Sequence, residues 1–121
     1  MIIIDTNMLL YAVENKTNVI KQLKHEDSSI AITDATAMEL EHIGMGSSEI
    51  ARNARIAMGI VKKEKLRIVK TGIKNADQAI LRAAREHKSE VATSDKELID
   101  KLKERGIKIY ILRQGRLVVR A

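Results

Sequence analysis

Asp5, Glu39, Asp77 and Asp95 lie far apart along the chain. Each falls where a short apolar stretch hands over to a helix, or just inside the helix that follows. Asp5 follows Ile2, Ile3 and Ile4, and Glu39 lies about one helical turn past the stretch 30–33. Asp77 opens a helix beginning near Asn75, and Asp95 follows Val91, Ala92 and Thr93. In an open parallel α/β sheet the carboxyl ends of the strands gather along one edge, and ligands bind there. Two carboxylates about 4 Å apart repel by roughly 4 kcal/mol at an effective dielectric near 20. A cluster of four must therefore take up protons or bind a cation. Hard divalent ions such as Mg²⁺ and Mn²⁺ prefer oxygen donors. Such an ion activates water and screens a phosphate, so the implied chemistry is phosphodiester hydrolysis.

Singly, each acid has an ordinary explanation. Asp77 and Asp95 in first helical turns gain roughly 0.3–1 kcal/mol from the helix macrodipole. Asp5 can cap a helix and Glu39 can be solvated, and with 16 acidic residues in the chain single placements carry little weight. The joint placement carries more, and Asp5 is the hardest to dismiss, because an isolated charge at a covered strand end is costly. Thr6 and Asn7 beside Asp5, and Thr93 and Ser94 beside Asp95, are small polar groups suited to orienting a carboxylate or a metal-bound water. Capping and turn chemistry explains Thr6, Asn7 and Ser94 equally well. Glu41, two residues further round the helix than Glu39, should point elsewhere. His25, His42 and His87 lie off these positions, and the chemistry needs no histidine base. Lys96, Lys101 and Arg113 are candidate phosphate contacts.

The elements that must position these groups follow from periodicity. Residues 2–4 read as a buried central strand, short, β-branched and apolar. A helix starts at 8–13 and continues or restarts at 18–25, with Val19, Ile20 and Leu23 on one face. A second strand spans 29–33, and Asp34 is a plausible N-cap for a helix over 35–43. Gly44 and Gly46 break that helix, Ser47 can cap the next, and Ile50, Ala54, Ala57 and Val61 carry helical spacing to about residue 63. A third strand at 66–69 precedes a helix capped by Asn75, whose inner stripe is Ala76, Ile80, Ala83 and Ala84. The fourth strand is 91–93. Ser94 and Glu97 have the spacing of a capping box for a helix ended by Gly106. A fifth strand spans 107–112, Gln114 and Gly115 signal a turn, and 117–119 is a possible last short strand. Strands alternating with helices imply a single α/β domain over residues 1–121 with a mainly parallel sheet.

Composition bounds the rest. The 121 residues suffice for one self-supporting core, which must be aliphatic, because Tyr11 and Tyr110 are the only aromatic residues. The absence of cysteine excludes disulfides, thiolate metal sites and a cysteine nucleophile,. No apolar run approaches the roughly 20 residues of a membrane span. The start lacks the basic and long apolar regions of a signal peptide, so a cytoplasmic setting is expected. A net charge of +6 favours polyanionic partners, RNA and DNA first,. Ala51, Ala54 and Ala57 with Met58 form a small-residue face suited either to a second subunit or to the monomer's own core.

Four segments together resemble the PIN domain family of small metal-dependent nucleases. They are Ile-Ile-Ile-Asp-Thr-Asn at 2–7, Ala-Met-Glu-Leu-Glu at 37–41, Asn-Ala-Asp-Gln-Ala-Ile at 75–80 and Val-Ala-Thr-Ser-Asp-Lys-Glu-Leu at 91–98. The resemblance covers almost the whole chain. It implies a five-stranded, mainly parallel central sheet flanked by helices on both faces, dependence on Mg²⁺ or Mn²⁺, and cleavage of single-stranded or structured RNA, with Asp5, Glu39, Asp77 and Asp95 as the acidic quartet. Many relatives carry a second aspartate where this chain has Gln78, but that position is rotated about 100° around the helix. The resemblance extends to two branches. One comprises the VapC-type toxins of toxin–antitoxin pairs, often homodimers neutralised by a small antitoxin. The other comprises nucleases that process ribosomal RNA precursors, which the stretches 93–98 and 110–113 resemble. A non-catalytic RNA- or protein-binding PIN module is a third reading. An aspartyl-phosphate hydrolase is disfavoured because Asn7 stands where its second acid belongs. The stretch 44–48 lacks the lysine of a phosphate loop, and no dinucleotide-binding glycine pattern follows the first strand.

Overall fold

The computed structural model describes residues 1–120. In chain order the elements are β1 (Ile2–Ile4), α1 (Thr6–Glu14), α2 (Val19–Glu26), β2 (Ile30–Thr33), α3 (Asp34–Gly44) and α4 (Glu49–Lys63). There follow β3 (Arg67–Val69), α5 (Ala76–His87), β4 (Glu90–Ala92), α6 (Lys96–Glu104), β5 (Ile109–Arg113) and β6 (Arg116–Arg120). The strands form one sheet in the order β3-β2-β1-β4-β5-β6. The first five are parallel, and β6 returns antiparallel on β5. The sheet therefore has six strands rather than five. The sixth arises because Gln114 and Gly115, with φ of 52° and 76°, make the tight left-handed turn that a hairpin requires,.

β1 is central, and side-chain alternation along it sets the layers. Ile2 and Ile4 face a core shared with α1, α2, α3 and α4. Ile3 faces the opposite core, filled by Ile80, Ala83 and Ala84 of α5 and by Leu98 and Leu102 of α6. All three isoleucines are fully excluded from solvent, each with roughly 1.5–3 kcal/mol of transfer free energy. The chain winds outward from β1 to β2 and β3, then returns to lay β4 on the other side of β1. The crevice beyond the carboxyl ends of β1 and β4 is thus the topological switch point of the sheet.

Several local expectations shift by one residue. Thr33, not Asp34, caps α3, its hydroxyl accepting from the Thr36 N–H at 3.1 Å. Ser48 rather than Ser47 caps α4. Asp95 itself caps α6, accepting from the Leu98 N–H at 2.9 Å, so the expected capping box of Ser94 and Glu97 gives way to an aspartate cap. The carboxylate is the stronger acceptor. Residues 18–25 restart a helix rather than continue one, since Lys16 takes a left-handed φ of 52°. Ala51, Ala54 and Ala57 are buried in the monomer's own core, so that face is closed to a second subunit.

Relieved of capping, Asp34 fastens the β3–α5 loop. Its carboxylate accepts from the Thr71 N–H at 2.9 Å, the Thr71 hydroxyl at 2.7 Å, the Gly72 N–H at 2.9 Å and the Ala35 N–H at 3.0 Å. Gly72 sits at φ 71°, a backbone that side chains resist, and this lets two successive amides point at one carboxylate,. Desolvation opposes the charge of Asp34, but the hydrogen bonds from Gly72, Thr71 and Ala35 outweigh it and hold the carboxyl at about 2.

The substitution Asp34→Ala is expected to cost about 1–3 kcal/mol near neutral pH, read from urea denaturation midpoints. The depressed pKa fixes the sign. The contribution is complete above the ordinary value of 3.8 and fades as pH falls towards 2, so the gap between wild type and variant should close in acid.

Candidate active site

Four elements deliver acidic groups to the switch point. Asp5 is the residue after β1. Its N–H donates to the Ala92 carbonyl at 3.1 Å, which extends the ladder to β4. The chain then turns into α1, with Asp5 as N-cap. One carboxylate oxygen accepts from the Met8 N–H at 2.8 Å, and the other from the Thr93 hydroxyl. The Thr93 oxygen in turn accepts the Asp95 N–H at 3.1 Å. One buried hydroxyl therefore fixes both Asp5 and the backbone that presents Asp95.

Asp5 is only 6% exposed. Desolvation raises its pKa to about 6. Its bonds to Thr93 and Met8 work against the rise, and the charges of Asp95 and Asp77 add to it. Asp77, in the first turn of α5, is half-buried. Its pKa is raised by desolvation and then by Asp95, with Glu97 and Glu39 adding and Lys101 opposing. Asp5, Asp77 and Asp95 thus feel one another's charge across the crevice. Glu39 is exposed at the margin, where its field reaches Asp77. Glu41 lines a different cavity with Met45 and Arg55.

The supporting residues divide. Thr93 is fully buried and holds Asp5. Asn7 and Ser94 line a cavity of about 300 Å³ beside Asp95. Thr6 departs from expectation: its hydroxyl donates to the Thr36 hydroxyl at 3.2 Å, inside a buried threonine cluster completed by Thr33. The first turn of α1 carries it towards α3. Lys96, Lys101 and Arg113 are exposed, and the influence of Lys101 on Asp77 puts it at the crevice.

The sequence makes Glu97 a capping partner, yet in the fold its charge bears on Asp77. Its spacing of four from Lys101 is the available signal, since such pairs share a helix face. Gln78 turns off the acidic edge and lines a cavity of about 280 Å³ with Ile73, Leu81, Arg82, Arg85 and Arg105. This arginine cluster joins α5 to the end of α6, and its residues are too far apart in sequence to be read as a group.

Among the described residues, no three His, Asp or Glu side chains converge closely enough, as placed, to hold one ion directly. A hydrated divalent ion takes one or two carboxylates and keeps several waters, and so fits this oxygen-only set.

Residues 2–115 match the family described as PIN like domain. The chain belongs to the PIN-like domain family. It is 33% identical over 120 residues to Ribonuclease VapC9 of Archaeoglobus fulgidus, an alignment covering 96% of this chain and 85% of that protein. It is 32% identical over 119 residues to Ribonuclease VapC4 of Methanocaldococcus jannaschii, covering 93% and 90% respectively. Solved structures share the PIN-like fold. One is a domain of a functionally unknown protein from M. jannaschii, with a TM-score of 0.64 at 20% identity over 99% of this chain and 96% of that one. Another is VapBC2 from Rickettsia felis bound to a promoter DNA fragment, with a TM-score of 0.67 at 18% identity over 93% and 100%. Among the described residues no helix is long and apolar enough to cross a membrane.

The raised pKa of Asp5 sets a pH dependence. Its carboxyl holds a proton to higher pH in the folded chain than in the unfolded one. Its burial therefore costs nothing below the ordinary value of 3.8, and the cost grows as pH rises through about 6. Asp5→Asn retains an acceptor for the Met8 N–H. In chelator it should leave stability unchanged below the ordinary value of 3.8 and raise it by roughly 3 kcal/mol well above neutrality,. Urea melts at both pH values check this, and a variant equally stable at both would contradict the buried-charge assignment.

Proposed function

We propose that this PIN-like domain is a divalent-metal-dependent endoribonuclease, the toxin of a VapC-type toxin–antitoxin pair. The observation that carries the reading is the set of three carboxylates, Asp5, Asp77 and Asp95, held in mutual electrostatic range at the switch point, two of them with raised proton affinity. A fold tolerates such repulsion when a ligand relieves it. The ribonuclease names of relatives more than 30% identical over nearly the full chain support RNA as the substrate. The same names favour the toxin branch over ribosomal RNA processing and over a non-catalytic module.

Asp5, Asp77 and Asp95 would hold Mg²⁺ or Mn²⁺, with Glu39 completing the ring from the margin. Such an ion supplies an activated water and neutralises charge on the phosphate. The chain's own contribution is positional. Thr93 locks the Asp5 carboxylate and the turn leading to Asp95. The Asp34 clamp fixes the loop that feeds α5, and so sets Asp77. Lys96, Lys101 and Arg113 supply positive charge for the RNA backbone. An antitoxin partner and a homodimer belong to this reading. With the alanine face of α4 buried, Met38, Met45, Ile50 and Ile56 are among the exposed apolar residues open to a partner.

Cleavage of single-stranded RNA in Mn²⁺ should fall by two or more orders of magnitude in Asp5→Asn, Asp77→Asn and Asp95→Asn, and by less in Glu39→Gln. Chelator should abolish it in wild type. Full-speed cutting by a folded Asp5→Asn variant would overturn the reading. Combining Lys96→Ala with Lys101→Ala should weaken RNA binding and flatten its logarithmic salt dependence by about 0.7 for each phosphate the variant no longer neutralises.

A further inference from the structure

The chain has two aromatic side chains and treats them differently. Tyr110 is buried in the core, whereas Tyr11 is 41% exposed. Tyr11 stands four residues after Asn7 and three after Met8, so all three share one face of α1. That face forms one wall of the cavity of about 300 Å³, and Ser94, Asp95 and Leu112 form the rest. The walls are of two kinds. Met8, Tyr11 and Leu112 are apolar, while Asn7 and Ser94 offer an amide and a hydroxyl. Asp95 belongs to both the cavity and the acidic edge, so the two are continuous.

The far wall is preformed. Leu112 lies on the β5–β6 hairpin, which α2 holds from outside. The Gln22 amide N–H donates to the Gly115 carbonyl at 3.1 Å, and its oxygen accepts from the Leu117 N–H at 3.0 Å. The Leu112 N–H also donates to the Ser94 hydroxyl, at 3.4 Å. A volume of this size is at the small end of ligand sites, which span roughly 300–1,000 Å³. An exposed ring for stacking, apolar sides and a few edge-directed polar groups are what proteins use to take an unstacked base.

We propose that this cavity is a nucleobase subsite. It accepts one unpaired base of an RNA strand whose neighbouring phosphate lies at the acidic edge. The base stacks on Tyr11 and is read along its edge by Asn7 and Ser94. The proposal rests on the ribonuclease reading and adds to it a contact with one base at a defined position, which must be unpaired because a base inside a duplex cannot enter.

The test uses labelled single-stranded oligoribonucleotides in which one abasic nucleotide is moved position by position along the strand. Wild type, Tyr11→Ala and Tyr11→Phe are compared by cleavage in Mn²⁺ and by anisotropy binding in chelator. At one position next to the cut, the abasic replacement should weaken wild-type binding and slow cleavage by about 5- to 150-fold. Tyr11→Ala should lose a similar factor on intact RNA and become indifferent to the abasic position. Tyr11→Phe, which keeps the ring, should still discriminate. A Tyr11→Ala variant that discriminates as wild type does, or a wild type indifferent at every position, overturns the subsite. Cutting without discrimination would remove the subsite and leave the nuclease reading standing. Discriminating binding without metal-dependent cutting would do the reverse, and RNA neither bound nor cut would end both. Tyr11 is exposed, so thermal melts of the variants should match wild type and exclude misfolding as the cause.

Discussion

Burial of a single carboxylate at the end of the central strand constrains everything around it. Asp5 cannot move outward, because its N–H is tied to β4 and its side chain caps α1. Nor can it be fully satisfied, because two hydrogen bonds do not offset its desolvation and the neighbouring charges of Asp95 and Asp77. The aliphatic core on both sides of β1 holds it in place. The sheet thus maintains, by packing and these hydrogen bonds together, a concentration of negative charge that its own electrostatics oppose. Such local conflict between stability and placement is characteristic of functional sites.

The other acids are brought to Asp5 by separate devices. Asp95 arrives through the parallel register of β1 with β4 and the shared hydroxyl of Thr93. Asp77 arrives on α5, whose leading loop is pinned by Asp34 thirty-seven residues earlier. Glu39 arrives on α3, which packs between α4 and α5. Placing each group on a different rigid element makes the constellation precise. It also explains why Asp34, although close in sequence to the site elements, serves the scaffold: its pKa is lowered while those of Asp5 and Asp77 are raised.

Much of this is legible in the sequence, and what is not has identifiable causes. The apolar run at 2–4 announces a central strand, and the alternation of strands with helices announces the α/β layers, because both signals are periodic and local. The caps at Thr33, Ser48 and Asp95 differ by one residue from those the sequence suggests, since adjacent Thr-Asp, Ser-Ser and Ser-Asp pairs offer two acceptors and only the strand's end decides between them. Thr6 points elsewhere than expected because its hydrogen-bond partner, Thr36, lies thirty residues away. The charge of Glu97 on Asp77, the arginine cluster around Gln78 and the cavity under Tyr11 all join elements distant in sequence. Chain order contains no signal for them. The turn at Gln114 and Gly115 and a short last strand are legible, whereas the pairing of that strand as β6 on β5, with Gln22 docking the hairpin, is non-local.

The charge pattern completes the picture. An acidic crevice on a chain of net charge +6 needs a surrounding basic surface. Lys101, whose charge bears on Asp77, and Lys96, next to Asp95 in the chain, provide part of it, so a polyanion is drawn to a place where it would otherwise be repelled,. The most direct measurement of the central claim is paramagnetic broadening of backbone amide resonances as Mn²⁺ is titrated into the protein. The account predicts that signals from residues beside Asp5, Asp77 and Asp95 vanish first, with those near Glu39 following. Broadening that begins elsewhere, or spreads evenly over the acidic surface, would contradict it.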